Sequence, residues 1–183
     1  MKPFIGEIFD PIKDFYLIRN KIEKRILIIT PVFVGIFSFV ISLLASTRGY
    51  TTGFEFANDI VGQFITILAL FISFNMGYLS LIITSSSKNV EDMKTTASPS
   101  RFKDKQHSKP FMVYEILTAE ITYTLLVEIF FLIVCVAEKM LMVFLSVNSL
   151  KIIVNIDIAL FVHTAIMLLV IVKNIYYSFW KPI

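Results

Sequence analysis

The chain has 183 residues, 56% of them hydrophobic and 17% charged, with a formal net charge of +3. A soluble domain is roughly 45–50% apolar and about 25% charged, so this composition excludes an ordinary soluble globule, and it lies further still from disordered chains. The single Cys excludes a disulfide framework or a multi-Cys zinc or iron–sulfur site, and two His leave little for a metal centre; neither metal nor cofactor is expected.

Asp10-Pro11 reads as a helix start, with Asp as N-cap and Pro in the first helical position. Ile12, Phe15, Tyr16, Arg19, Ile22 and Ile26 then follow helical spacing, while Lys13, Asp14, Lys21, Glu23 and Lys24 fall mostly elsewhere. Residues 1–25 are expected to form a cytoplasmic amphipathic segment that lies on the membrane face and feeds into the first span. A docking helix for a soluble partner is the alternative. The basic group Arg19, Lys21, Lys24 and Arg25 suits anionic lipid head groups or a partner.

A helix that crosses a ~30 Å hydrocarbon core needs about 20 mostly apolar residues. Runs of that kind cover residues 26–45, 60–83, 113–136 and 152–172. The expected fold class is therefore all-α: an integral membrane protein with four transmembrane helices and an N-terminal amphipathic interfacial helix. The first run exceeds the roughly 7–15 residues of a signal-peptide core and is read as a retained span. Pro31 is expected to loosen it near its cytoplasmic end.

Small residues let membrane helices approach closely. The first span carries Gly35, Ser38, Ser42 and Ala45 at helical spacing, and the second carries Gly62, Thr66, Ala69, Ser73, Gly77 and Ser80. These faces are expected to pack the two spans on each other, or on copies of themselves in a homo-oligomer, a tetramer by expectation. Asn75 and Gln63 inside the second span are read as packing residues.

Residues 84–110 are rich in Ser, Thr and Lys and hold Pro99 and Pro110 but few large apolar side chains. This loop is expected to be mobile until bound. Lys103 and Lys105 are candidates for lipid or partner contact. The loop is too small for a catalytic domain and carries no phosphate-cradling glycine loop and no nucleophile motif.

In the third span Glu120, Thr124 and Glu128 recur every four residues and share a face, which Cys135 and Glu138 approximately continue. In the fourth, His163 lies eleven residues beyond Ile152, or ~16 Å deep at 1.5 Å per residue. Glu128 and His163 could thus meet at similar depth. In one reading they form a proton or ion relay. In the other they make an interhelical hydrogen bond that fixes packing, while Glu120 and Asp157 reach the water interfaces.

Lys and Arg divide unevenly among the connections. Residues 1–25 and 84–110 hold six each and the tail 173–183 holds two, against three in the other connections, Arg48, Lys139 and Lys151. The positive-inside rule puts both termini and the middle loop in the cytoplasm, which requires an even number of spans. Tyr176, Tyr177, Phe179 and Trp180 stand where interfacial aromatics belong. The basic residues are thereby explained without nucleic-acid binding.

Three function classes fit a chain of this kind, none of them enzymatic. They are a sensor or anchor that oligomerises and recruits a cytosolic partner, a small channel or proton-coupled carrier using Glu128 and His163, and a membrane-depolarising effector. The layout of amphipathic segment 10–25, paired spans, basic loop 84–110 and aromatic end Tyr176 to Trp180 resembles the small four-span membrane subunits of bacterial antiphage defence operons, the Kiwa membrane component among them. That resemblance implies a homo-oligomeric inner-membrane sensor of phage infection working with a cytosolic, DNA-binding effector.

Overall fold

The computed structural model describes residues 9–44, 53–97 and 111–180. Its helices are α1 (Asp10–Ile18), α2 (Lys21–Leu44), α3 (Gly53–Thr84), α4 (Lys88–Thr95), α5 (Val113–Leu141) and α6 (Val147–Trp180), with a 3₁₀ turn at Met142–Phe144. Among the described residues the only β pairing is one isolated antiparallel bridge, Ala97 with Met112. The protein is all-helical, as the sequence predicts.

Among the described residues three helices are long and apolar enough to cross a membrane: Lys21–Leu43, Gly53–Thr84 and Val147–Tyr177. The remaining expected span, the third in chain order, falls in α5, which is of similar length but carries Glu115, Glu120, Glu128, Glu138 and Lys139. The surface of α2 is what hydrocarbon requires. Leu27, Pro31 and Gly35 form a narrow buried stripe, while Ile29, Phe33, Ile36 and Phe37 are exposed. On α3, the exposed hydroxyls of Thr66, Ser73 and Thr84 donate to the carbonyls of Gly62, Ala69 and Ser80, each four residues back. Helical Ser and Thr can thereby present a lipid-compatible surface.

The chain divides into two compact units. The first comprises residues 1–24, 74–126 and 167–183. Here α1 is shorter than the sequence pattern suggests. It stops at Arg19, whose backbone is extended. A new helix then begins, because Asn20 and Glu23 form a reciprocal cap. The Glu23 N–H donates to Asn20 Oδ1 at 2.8 Å, and the Asn20 N–H donates to Glu23 Oε2 at 3.3 Å. Phe15 and Ile18 of α1 are buried, and the Phe15 ring stacks on Tyr123 with centroids 3.9 Å apart. Apolar side chains expected to face lipid are thus spent on protein contact.

The middle loop also differs from expectation. Residues 88–95 form α4, with Val90 and Met93 buried. This pair, three residues apart, gives an otherwise polar segment one apolar edge. Lys94 lies over the Tyr114 ring, 5.7 Å from its centroid, and the Val113 N–H donates to the Thr96 carbonyl at 3.1 Å.

The second unit comprises residues 25–73 and 127–166. Its core is built from Ala57, Val61, Phe64 and Leu68 of α3, Phe131 and Cys135 of α5, Met142 of the turn, and Leu150 and Val154 of α6. The α3 positions repeat every three or four residues, the spacing of one helix face. Phe64 stacks on Phe161 at 4.9 Å. At Gly35 a β-carbon would stand 2.9 Å from Ala159 Cβ and 3.2 Å from the Asn155 carbonyl oxygen. The small face of the first span therefore receives α6, whereas the sequence reading paired it with the second span or with another copy.

Candidate functional site

Polar side chains inside these apolar helices form two sets, one in each unit. In the first unit the centre is Glu120, on the face that α5 shares with Thr124. Its Oε1 accepts from Arg19 Nη2 and its Oε2 from Asn174 Nδ2. The Arg19 and Glu120 side chains are only 7% and 2% exposed. A buried carboxylate is costly unless its oxygens are compensated, and here both carry donors. The Arg19 guanidinium also lies 5.2 Å from the Phe15 ring centroid and 4.0 Å from Glu23 Oε2. Thr124 Oγ1 donates to the Glu120 backbone carbonyl at 2.8 Å. The set ties the end of α1 to α5 and to the last turns of α6.

One sequence expectation, for Arg19, is corrected here, and one of the two readings of Glu120, an intramembrane polar candidate with Glu128, His163, Asp157 and Asn75, is removed. Arg19, assigned to lipid head groups or a partner, points inward, because Glu120 offers it a partner in a place that water does not reach. Glu120 is buried and does not reach a water interface. Of the other basic candidates, Lys21 and Arg25 are exposed and Lys24 is half-buried; Lys103 and Lys105 lie outside the described residues. Asn75, also in this unit, is fully buried.

In the second unit, His163 Nδ1 lies 3.0 Å from the Leu27 carbonyl oxygen. Glu128 is fully buried. Asn155 Nδ2 donates to the Lys151 carbonyl at 2.6 Å and to Ser42 Oγ at 3.3 Å, joining the first small-residue face to α6. Ser38 is half-buried on the same helix. On α3, Gly62 is half-buried whereas Ala69, Ser73 and Gly77 are exposed, so most of that stripe is not used within the chain.

Asp157, which only the packing reading put at a water interface, is fully buried. It meets Cys135 and Glu138, which sit three residues apart on α5. One donor atom from each of the three residues lies within 4.8 Å of the others. Both Asp157 oxygens and Glu138 Oε2 are buried without a hydrogen-bond partner. The fourth span was expected to start at Ile152, but α6 starts at Val147, after Ser146 caps it through the Ser149 N–H at 3.2 Å. Five more helical residues set Asp157 ~7.5 Å deeper. The cap at Ser146 is the sequence signal for this, and the Cys135–Glu138 spacing marks the facing edge. Asn174 left no comparable signal, since it lies beyond the last expected span.

Chemically the two sets differ. The Arg19–Glu120–Asn174 set is satisfied at both carboxylate oxygens and suits fixing one helix to others. Among the described residues, Cys135, Glu138 and Asp157 are a group that could hold a metal ion. No protein-family model, curated protein or solved structure compared with the chain matches it.

Proposed function

We propose that this is a non-enzymatic, four-span inner-membrane sensor or anchor with cytoplasmic termini, and that its first unit is a docking platform for a cytosolic effector. The carrying observation is the buried Arg19–Glu120–Asn174 set. It joins an N-terminal helix to α5 and α6 within a unit that also holds α4. Among its described residues are Lys13, Arg19, Lys21, Lys24, Lys88 and Lys94, from the two segments with six Lys or Arg each that the positive-inside rule assigns to the cytoplasm. A segment locked in this way can pass a change in the apolar helices to whatever docks on it.

In this reading α5 also crosses the membrane, as the third of four spans. Its 29 residues extend ~44 Å, enough for a ~30 Å core, and Ile129, Phe130, Ile133 and Met140 are exposed as lipid-facing residues should be. The exposed stripe Ala69, Ser73 and Gly77 suits self-association within the membrane. The resemblance to antiphage defence subunits supplies the stimulus, phage infection.

The test is purification from membranes with identification of bound soluble proteins. A specific partner should co-purify, and replacing residues 84–110 by a Gly/Ser linker should release it. Expression should also lower phage plaque counts in a susceptible host. An intact complex after linker replacement overturns the docking assignment, and unchanged plaque counts overturn the antiphage one. The buried carboxylates Glu128 and Asp157 favour a second reading, a small ion channel or proton-coupled carrier. Ion flux through purified protein in liposomes would support it.

A further inference from the structure

The polar groups of the second unit include three that the docking reading leaves without a role. Cys135 and Glu138 stand on one edge of α5, and Asp157 stands on α6. Sγ of Cys135 and a carboxylate oxygen from each acid all lie within 4.8 Å of one another. Cys135 and Asp157 are fully buried, and Glu138 is half-buried. Neither Asp157 oxygen has a hydrogen-bond partner, and Glu138 Oε2 is likewise buried and unsatisfied. Buried carboxylates are as a rule hydrogen-bonded, ion-paired or metal-bound. Here two converge on each other and on a sulfur, and among the described residues the only group within reach of Asp157 that could donate to it is the other acid, Glu138.

We propose that Cys135, Glu138 and Asp157 bind a single transition-metal dication of the zinc type. A proton shared between the two acids would need no third group. The third group present is a thiol, whose thiolate is a soft ligand for Zn²⁺ and its congeners and a poor one for Mg²⁺ or Ca²⁺. The spacing is compatible. Bonds of about 2.3 Å to sulfur and 2.0–2.2 Å to oxygen place tetrahedral donors roughly 3.3–3.7 Å apart, inside the observed limit. Ligation by one thiolate and two carboxylates leaves net charge −1 at the ion and a fourth position open to water or an added ligand. The i, i+3 pair on α5 and the single ligand on α6 would clamp these helices together. Because the site lies wholly within the second unit, it does not depend on the docking reading.

The test uses the full-length protein in detergent, with any affinity tag removed and metals stripped by a chelator, titrated with Co²⁺. Binding of one Co²⁺ per chain should produce a thiolate-to-cobalt charge-transfer band, and Zn²⁺ should abolish it by competition. Cys135→Ser should remove the band. Asp157→Asn should weaken binding by more than the roughly 10–100-fold typical of losing a ligand's outer hydrogen-bond partner. The wild-type titration stands even if a variant fails to fold. Absence of the band and of stoichiometric Zn²⁺ in the wild-type chain overturns the proposal. So does a band that survives Cys135→Ser in a monodisperse protein, or displacement of the metal by equimolar Mg²⁺ or Ca²⁺.

Discussion

Arg19 and Glu120 lie 101 residues apart in the sequence and form an ion pair that buries both side chains. Asn174 donates to the second carboxylate oxygen. The consequence is mechanical. The stop between α1 and α2 sits at Arg19, so the residue that ends one helix also anchors it. Breaking a buried pair from one side leaves the other charge uncompensated, at a cost of roughly 3–5 kcal/mol. Glu120→Ala is therefore expected to destabilise the protein by about that amount and to release α1, read as faster tryptic cleavage at Lys13 and Lys21. The double change Arg19→Met with Glu120→Met removes both charges and should recover a large part of the loss. Equal cleavage rates in Glu120→Ala and wild type would contradict the anchoring role.

Gly35 and Gly77 test helix packing in opposite directions. At Gly35 an added methyl meets Ala159 Cβ at 2.9 Å, whereas at Gly77 it meets nothing within 4 Å. Gly35→Ala should cost about 1–3 kcal/mol through overpacking, and adding Ala159→Gly should return most of it. Gly77→Ala should leave the monomer unchanged or firmer, since Ala favours a helix interior over Gly by up to about 1 kcal/mol. Unfolding midpoints in a common detergent decide the matter. Equal midpoints for the two single variants would mean that α2 and α6 are not in contact at Gly35.

Long apolar runs made the helices legible in the sequence, because a period of 3.6 over twenty or more residues admits little else. Ends and partners were less legible. The break at Asn20 was hidden by apolar residues that keep helical spacing across it, although Asn20 and Glu23 spell a cap. Val90 and Met93 are only two apolar residues in a polar loop, so α4 carried almost no periodic signal. With the apolar run starting at Ile152, Asp157 reads as only five residues into the fourth span, close to its outer end. A helix can begin several residues before its apolar run, and the Ser146 cap does this. Which helix lies beside which depends on contacts between distant residues such as Gly35 and Ala159, and no local pattern encodes them.

Glu128 is fully buried on the same α5 face as Glu120. If it serves through hydrogen bonding alone, Gln is a near-isosteric replacement. Glu128→Gln is expected to leave the oligomer's elution and the unfolding midpoint close to wild type, with partner binding retained. An ion-relay role would show itself differently. Liposome ion flux would be present in the wild type and lost in Glu128→Gln with assembly intact. That pair of results would shift the functional reading from docking to conduction.

Counting spans requires a probe on each side of α5. In the proposed topology residues 84–110 are cytoplasmic, and if α5 crosses the membrane, the turn after it lies outside. Asn148 is exposed in the first turn of α6. The native Cys135 is buried, so background labelling should be low. Ser98→Cys should react with a membrane-impermeant maleimide only after the inner face is opened, and Asn148→Cys should react in intact spheroplasts. Labelling of both positions from the same side would make α5 a helix that does not span, leaving three crossings and the termini on opposite faces. Segments 1–25 and 84–110 stay on one face in either case, because two spans separate them; three crossings would exchange only the two Lys of the tail 173–183 for Lys139 and Lys151, so the labelling decides the count where charge does not. Because α5 has 29 residues and exposes Ile129, Phe130 and Ile133 as a lipid-facing helix would, opposite sidedness is the expected result for the two cysteines.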